Sequence, residues 1–243
     1  MRTIPLNVIL TSLATNYKRR NKDVKLYEIA NIYLADKLPL EELPDERSQF
    51  VLGFFGEGDF FSLKGTVEEF LGQIGMADSL EYDAAAGKAF LHPGRQALIS
   101  FKGERVGYLG EVHPEVLDNY GIGQRAYVAV LDLPAIVPHA SYSRVYTGIA
   151  KFPAVTRDIS MVVPKEVLVG QIEAVLNQRG GKILEGYNLF DIYEGEQVKA
   201  GFKSIAYSLS FRNKERTLSD DDVNAAMKKI LNGLEGLGIE LRS

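Results

Sequence analysis

The stretch 188–212, NLFDIYEGEQVKAGFKSIAYSLSFR, decides how the chain is read. Two runs of alternating residues flank a polar, glycine-containing connection, a pattern that predicts a β-hairpin with a long tip. Strand side chains alternate between faces. Phe190 and Ile192 are therefore expected on one side, with Leu189, Asp191 and Tyr193 on the other. In the second run Ile205, Tyr207, Leu209 and Phe211 share a face, and Ser204, Ala206, Ser208, Ser210 and Arg212 stand opposite. The second face is small, polar and predicted to be accessible, so the hairpin should offer one side to a core and the other to a partner.

The neighbouring segments complete a pattern. Residues 158–163 read as a strand, and 165–179 as a helix with Leu168, Ile172, Val175 and Leu176 on one side. After the hairpin, Ser219 opens a helix whose first turn carries Asp220, Asp221 and Asp222; these cap free amides and suit the positive end of the helix dipole. Val223, Ala226, Met227, Ile230, Leu231 and Leu234 form its apolar stripe, Gly236 and Gly238 end it, and 239–242 close as a strand. The order βαββαβ predicts a ferredoxin-like plait, with both helices on one face of a four-stranded antiparallel sheet. The inward set is Ile159, Met161, Val163, Phe190, Ile192, Ile205, Leu209, Phe211, Ile239 and Leu241. The outward set is Asp158, Ser160, Val162, Asp191, Tyr193, Ser204, Ala206, Ser208, Ser210, Glu240 and Arg242. Four strands give the same division independently.

The upstream half has a different order. Leu6, Ile9, Leu10, Leu13, Ala14 and Tyr17 predict a helix over 6–20, ending in the basic run Lys18-Arg19-Arg20-Asn21-Lys22. That run suits a helix C-terminus and also the contact of a phosphate. Strands are expected at 26–34 and 49–56, a helix through Leu63, Val67, Phe70, Leu71 and Ile74, and strands at 80–83, 97–102 and 105–112 around a tight Gly103-Glu104 turn. A short helix at 114–120 and an apolar strand at 126–133 follow. Helices and strands do not alternate regularly, so this is an antiparallel α+β unit rather than a doubly wound parallel sheet. Residues 134–148 carry Pro, Ser, His and Gly without periodicity, which places domains at 1–140 and 148–243.

Composition narrows the chemistry. The 243 residues include no Cys, which excludes disulfides, thiolate metal sites and a cysteine nucleophile, and agrees with a reducing cytoplasm. No apolar run is long enough for a membrane span, and MRTIPLNVIL lacks the layout of an export signal. The net charge of −4 argues against broad nucleic-acid binding, although residues 146–243 balance 13 basic against 13 acidic side chains. His92, His113 and His139 are scattered and two precede Pro, so neither a metal site nor a catalytic centre is expected. The glycine-rich pieces at 53–58 and 103–111 lack the ending of a phosphate loop, and no nucleophile elbow exists. Tyr193 stands apart. An aromatic on an open sheet stacks an unpaired base, Asp191 beside it accepts from a base edge, and Arg242 supplies a phosphate contact or a stacking plane. A solvated sheet surface or a protein interface would carry the same residues, and the sheet lacks the paired aromatics of an RNA-recognition motif.

KFPAVTRDISMVV (151–163), NLFDIYEGEQV (188–198) and KSIAYSLSFRNKERTLSDDDV (203–223) together resemble the C-terminal part of the bacterial phenylalanyl-tRNA synthetase β subunit, a ferredoxin-fold anticodon-binding domain. MRTIPLN, NKDVKLYEIANIY, HPGRQA and GYLGEVHPEVL resemble the preceding domain of that subunit, a class II synthetase-like fold without catalysis. The resemblance implies an enzyme of two α and two β subunits that charges phenylalanine tRNA with ATP and magnesium, its active site on α. It also implies that Tyr193 stacks an anticodon base, with Asp191, Ser204 and Arg242 contacting that base or its neighbours and Ser160 lining the same surface. Arg157-Asp158 is read as mainly structural. The family's OB-fold and editing domains are missing, which predicts a fragment, and the class II run G-x-G-x-G-x-E-R is absent, which predicts no catalysis here. The competing reading is an amino-acid-binding regulatory plait. Such modules place glycine at the first strand–helix turn, where this chain has Pro164-Lys165-Glu166.

Overall fold

The computed structural model describes residues 1–146 and 148–242, and the chain divides into two units, Met1–Val145 and Tyr146–Ser243. The first runs α1 (Leu6–Lys18), β1 (Val24–Leu34), β2 (Asp45–Phe55), α2 (Phe60–Gln73), β3 (Leu80–Asp83), β4 (Leu91–Phe101), β5 (Glu104–Val112), α3 (Pro114–Tyr120), β6 (Ala126–Asp132) and the short α4 (Leu133–Ile136). Its six strands form one antiparallel sheet in the order β1-β2-β6-β5-β4-β3.

β6 lies inside that sheet with helices on both sides, which is why AYVAVL is apolar throughout rather than alternating. Ala126, Val128 and Val130 pack with Leu6, Ile9, Leu10 and Leu13 of α1. Tyr127, Ala129 and Leu131 pack with Leu63, Val67 and Leu71 of α2. Each such Val, Leu or Ile side chain contributes about 1.5–3 kcal/mol when fully buried. The predicted elements are present with shifted ends. α1 stops at Lys18, and Arg20 beyond it turns left-handed at φ 64°. The β4–β5 turn is Lys102-Gly103 rather than Gly103-Glu104. Both residues have positive φ, 50° and 82°, and Phe101 pairs with Glu104 across them. That geometry belongs to a two-residue hairpin loop and accounts for the glycine without a ligand.

The second unit runs β7 (Val155–Pro164), α5 (Val169–Arg179), β8 (Leu184–Tyr193), β9 (Phe202–Phe211), α6 (Asp220–Glu235) and β10 (Glu240–Leu241). Its antiparallel sheet has the order β10-β7-β9-β8, the ferredoxin-like plait that the segment order predicts. Ile159, Met161, Val163, Ile205, Tyr207, Leu209 and Phe211 pack with Ile172 and Leu176 of α5 and Val223, Ala226, Ile230 and Leu234 of α6. Both helices therefore cover the same face. α5 starts at Val169 rather than 165, because the preceding turn is pinned: Lys203 Nζ donates to the carbonyls of Lys165 (3.2 Å) and Val167 (2.8 Å). Ser219 caps α6 through the amide of Asp222, and the Asp222 carboxylate accepts from the Ser219 amide in return.

β8 departs from simple alternation. Its register against β9 shifts between Leu184 and Gly186 and again between Leu189 and Asp191. At the second shift Phe190 is the extra residue of a bulge, which reverses the phase of everything before it. Tyr187 and Leu189 consequently face the core, where Leu189 was expected to face out, and the shift between Leu184 and Gly186 returns Leu184 to the core side as well. Phe190, expected inside, is 55% exposed. Ile192 opposes Ile205 and Leu241 opposes Met161 as expected, but both lie on the edge strands of the sheet and remain about half exposed.

Candidate nucleic-acid interface

Residues directly opposite one another in antiparallel strands share a face, so the pairing lays out the side of the plait away from α5 and α6. One row is Tyr193, Ser204, Val162 and Glu240; the next is Asp191, Ala206 and Ser160; a third is Asn188, Ser208 and Asp158. The Arg242 amide donates to the Ser160 carbonyl at 2.8 Å, which carries the edge one residue past β10. Its guanidinium Nη1 donates to Ser204 Oγ at 3.3 Å, reaching inward to the middle strand. Tyr193, Asp191, Ser204, Arg242 and Ser160 thus occupy two adjacent rows of one surface.

Accessibility differs from the sequence expectation. Ser204 is only 3% exposed and Ala206 is also buried, although α5 and α6 both cover the opposite face of the sheet. They are the shortest side chains of their rows, flanked by Tyr193, Val162, Asp191, Ser160 and the Arg242 side chain. A ligand would meet this rim first and the Ser204 hydroxyl only after Arg242 moved.

Tyr193 itself is 38% exposed. Its ring lies across the backbone of Gly195: a methyl group built there would stand 2.6 Å from Tyr193 Cζ and closer still to the hydroxyl. The absence of a side chain at 195 is what lets the ring lie down. Beside it, Lys165 Nζ binds Glu194 at 2.8 Å and holds that carboxyl below its ordinary range.

The charges on this surface are mostly negative. Asp158, Asp191 and Glu240 are exposed against the one guanidinium of Arg242. Arg212 is committed to Glu185 at 2.8 Å and to the Phe152 carbonyl at 2.6 Å. Arg157, on the helix side of β7, pairs with Asp220 at 2.9 Å, which gives it a structural job at the start of α6. Such a surface is poorly suited to gripping a phosphate backbone. It offers a stacking ring, hydrogen-bond acceptors and the Asn188 amide to exposed base edges. Asn188 is the residue that sequence reading missed, because the bulge at Phe190 hides its phase and no Gly or Pro marks the position.

The remaining candidates resolve into local roles. His92 Nδ1 accepts from the Gly94 amide (3.1 Å) and His113 Nδ1 from the Glu115 amide (3.3 Å), so both His-Pro pairs build turns. His139 Nε2 lies 3.0 Å from Glu104. Lys18, Arg19, Arg20 and Lys22 are exposed and form no ion pair among the described residues. No helix among the described residues is long and apolar enough to cross a membrane.

The plait coincides with a family model described as a ferredoxin-fold anticodon binding domain, which matches residues 150–242. The model of the phenylalanyl tRNA synthetase beta chain CLM domain matches residues 1–133, more than half of the chain. The chain belongs to the phenylalanyl tRNA synthetase beta chain family. Among relatives in this family, the phenylalanine–tRNA ligase beta subunit of Clostridium acetobutylicum is 42% identical over 243 residues, covering 100% of this chain and 30% of that protein. The beta subunit of Clostridium tetani is 40% identical with the same coverage. That of Bacillus subtilis is 38% identical over 237 residues, 93% of this chain and 29% of that protein. The chain spans under a third of the length of these relatives. All three residue rows of the open surface fall inside the anticodon-binding match.

Proposed function

We propose that this chain is the tRNA-anchoring and assembly portion of an enzyme that joins phenylalanine to its tRNA, and that it performs no chemistry itself. The observation that carries the reading is the surface of β10-β7-β9-β8 without a helix, where Tyr193, Asp191 and Arg242 stand together within the anticodon-binding match. Tyr193 stacks an unpaired anticodon base, worth about 1–3 kcal/mol. Asp191 accepts from a base amino or imino group, and Arg242, released from Ser204, meets a phosphate or a second base plane. Ser160 and Ser204 line the floor of the same contact.

In this reading the partner is a catalytic alpha subunit, in an assembly of two alpha and two beta chains that works in the cytoplasm. ATP and magnesium serve the reaction there. The Gly103 segment of this chain is occupied in closing a hairpin, and no residue of this chain is assigned to holding the nucleotide. The regulatory amino-acid reading is disfavoured at the β7–α5 turn, where Pro164-Lys165-Glu166 stands in place of a glycine and Lys203 bridges two carbonyls of the turn.

Separate titrations of a phenylalanine-tRNA anticodon stem-loop, a stem-loop with an altered anticodon, and free phenylalanine test the proposal. The matched loop should bind in preference to the altered one, and phenylalanine should leave the plait unperturbed. Equal affinity for both loops, or phenylalanine bound at the β7–α5 turn, would overturn it.

A further inference from the structure

On the α2 side of the first unit's sheet a cavity of about 480 Å³ opens beside the start of α2, β3, β4, β5 and β6. The volume is in the range of small-molecule sites. Phe60, Phe61, Tyr82 and Tyr127 make its walls mostly apolar. Its charged part is organised around Glu111, a carboxylate only 3% exposed. A charge so buried needs a partner. Arg95 provides it, with Nη1 at 3.2 and 3.3 Å from the two carboxylate oxygens.

Arg125 is left over. Its Nε stands 3.7 Å from Glu111, beyond hydrogen-bonding distance, and among the described residues it makes no hydrogen bond. Its side chain is largely exposed, and its planar fork of donors is free to meet a carboxylate in bidentate fashion. Glu111 offsets one of the two guanidinium charges, and Asp59, the other carboxylate on the wall, accepts from the Ser62 amide (2.8 Å) and hydroxyl (3.0 Å) at the start of α2, so Arg125 holds the fork of donors left without a hydrogen bond among the described residues. Lys64, the other cation on the wall, is already ion-paired with Glu68.

We infer that this cavity binds a small monocarboxylate with a flat apolar body, its carboxylate on Arg125 and its body against the aromatic walls. A dianion such as phosphate is disfavoured by the proximity of Glu111. The inference is independent of the RNA reading, since every residue it uses lies in the first unit.

Phenylpropanoate and its neutral isostere phenylpropanamide are the probes, titrated into the 243-residue chain and followed by amide NMR shifts. Phenylpropanoate should shift Phe61, Tyr82 and Tyr127 saturably, and the amide should bind about tenfold more weakly. Arg125→Ala, at an exposed side chain, should weaken phenylpropanoate by a similar factor and leave the amide unchanged. Phe61→Ala should weaken both probes alike. No saturable shift at these residues, or equal affinities of acid and amide in the native chain, would overturn the assignment.

Discussion

Tyr193 owes its pose to a neighbour with no side chain. In Gly195→Ala the ring is the element that yields, since it ends a rotatable side chain whereas the loop backbone does not. The variant should keep its unfolding midpoint while the anticodon stem-loop binds more weakly; a lost midpoint with unchanged affinity would place the role of Gly195 in the fold alone. Tyr193→Ala should weaken the stem-loop by about 1–3 kcal/mol in the same titration. Asp222 supports a pH prediction. The two guanidinium nitrogens of Arg216, at 2.6 and 2.8 Å, and the Ser219 amide and hydroxyl hold its carboxyl well below the ordinary value of about 3.9. A folded pKa below the unfolded one means that its stabilisation is complete above about pH 4 and disappears as pH falls toward the folded value. Asp222→Asn should therefore lower the denaturation midpoint at neutral pH and flatten its acid decline, whereas parallel curves for both proteins would contradict this.

At the scale of elements, the sequence is legible where one physical rule acts alone. β9 alternates without interruption, and Ile205, Tyr207, Leu209 and Phe211 are all buried against the helices as the period of two requires. The α6 stripe and its Ser219 cap are equally direct. β8 is not, because a bulge leaves no mark in residue types. Phe190 looks like a core residue and stands in solvent, while Leu189 does the reverse. The consequence is measurable by denaturant unfolding. Leu209→Ala should cost about 2–5 kcal/mol, as for buried leucines, and Phe190→Ala about 0.5 kcal/mol or less. Comparable losses would mean that the unbroken alternation holds after all. The same bulge explains why Asn188 escaped notice and why Asp191 and Tyr193 did not, since those two lie on the side of it nearest the hairpin tip. The shielding of Ser204 was illegible for another reason: it depends on Arg242, a residue distant in sequence whose reach across β7 only three-dimensional pairing reveals.

For the whole molecule, charge sets the manner of binding. A chain of net charge −4, whose open sheet surface carries among the described residues one guanidinium outside any ion pair, that of Arg242, is poorly suited to binding through phosphate neutralisation. With about one phosphate contact to single-stranded RNA, the slope of log K against log salt should be near −0.7. Slopes several times steeper would move the binding to a basic surface such as Lys18–Lys22. The most direct measurement is the map of amide NMR shifts when an anticodon stem-loop is added to the 243-residue chain. The account predicts saturable shifts at Ser160, Asp191, Tyr193 and Ala206, with α5 and α6 quiet. Shifts concentrated on the helices, or none in the plait, would contradict it.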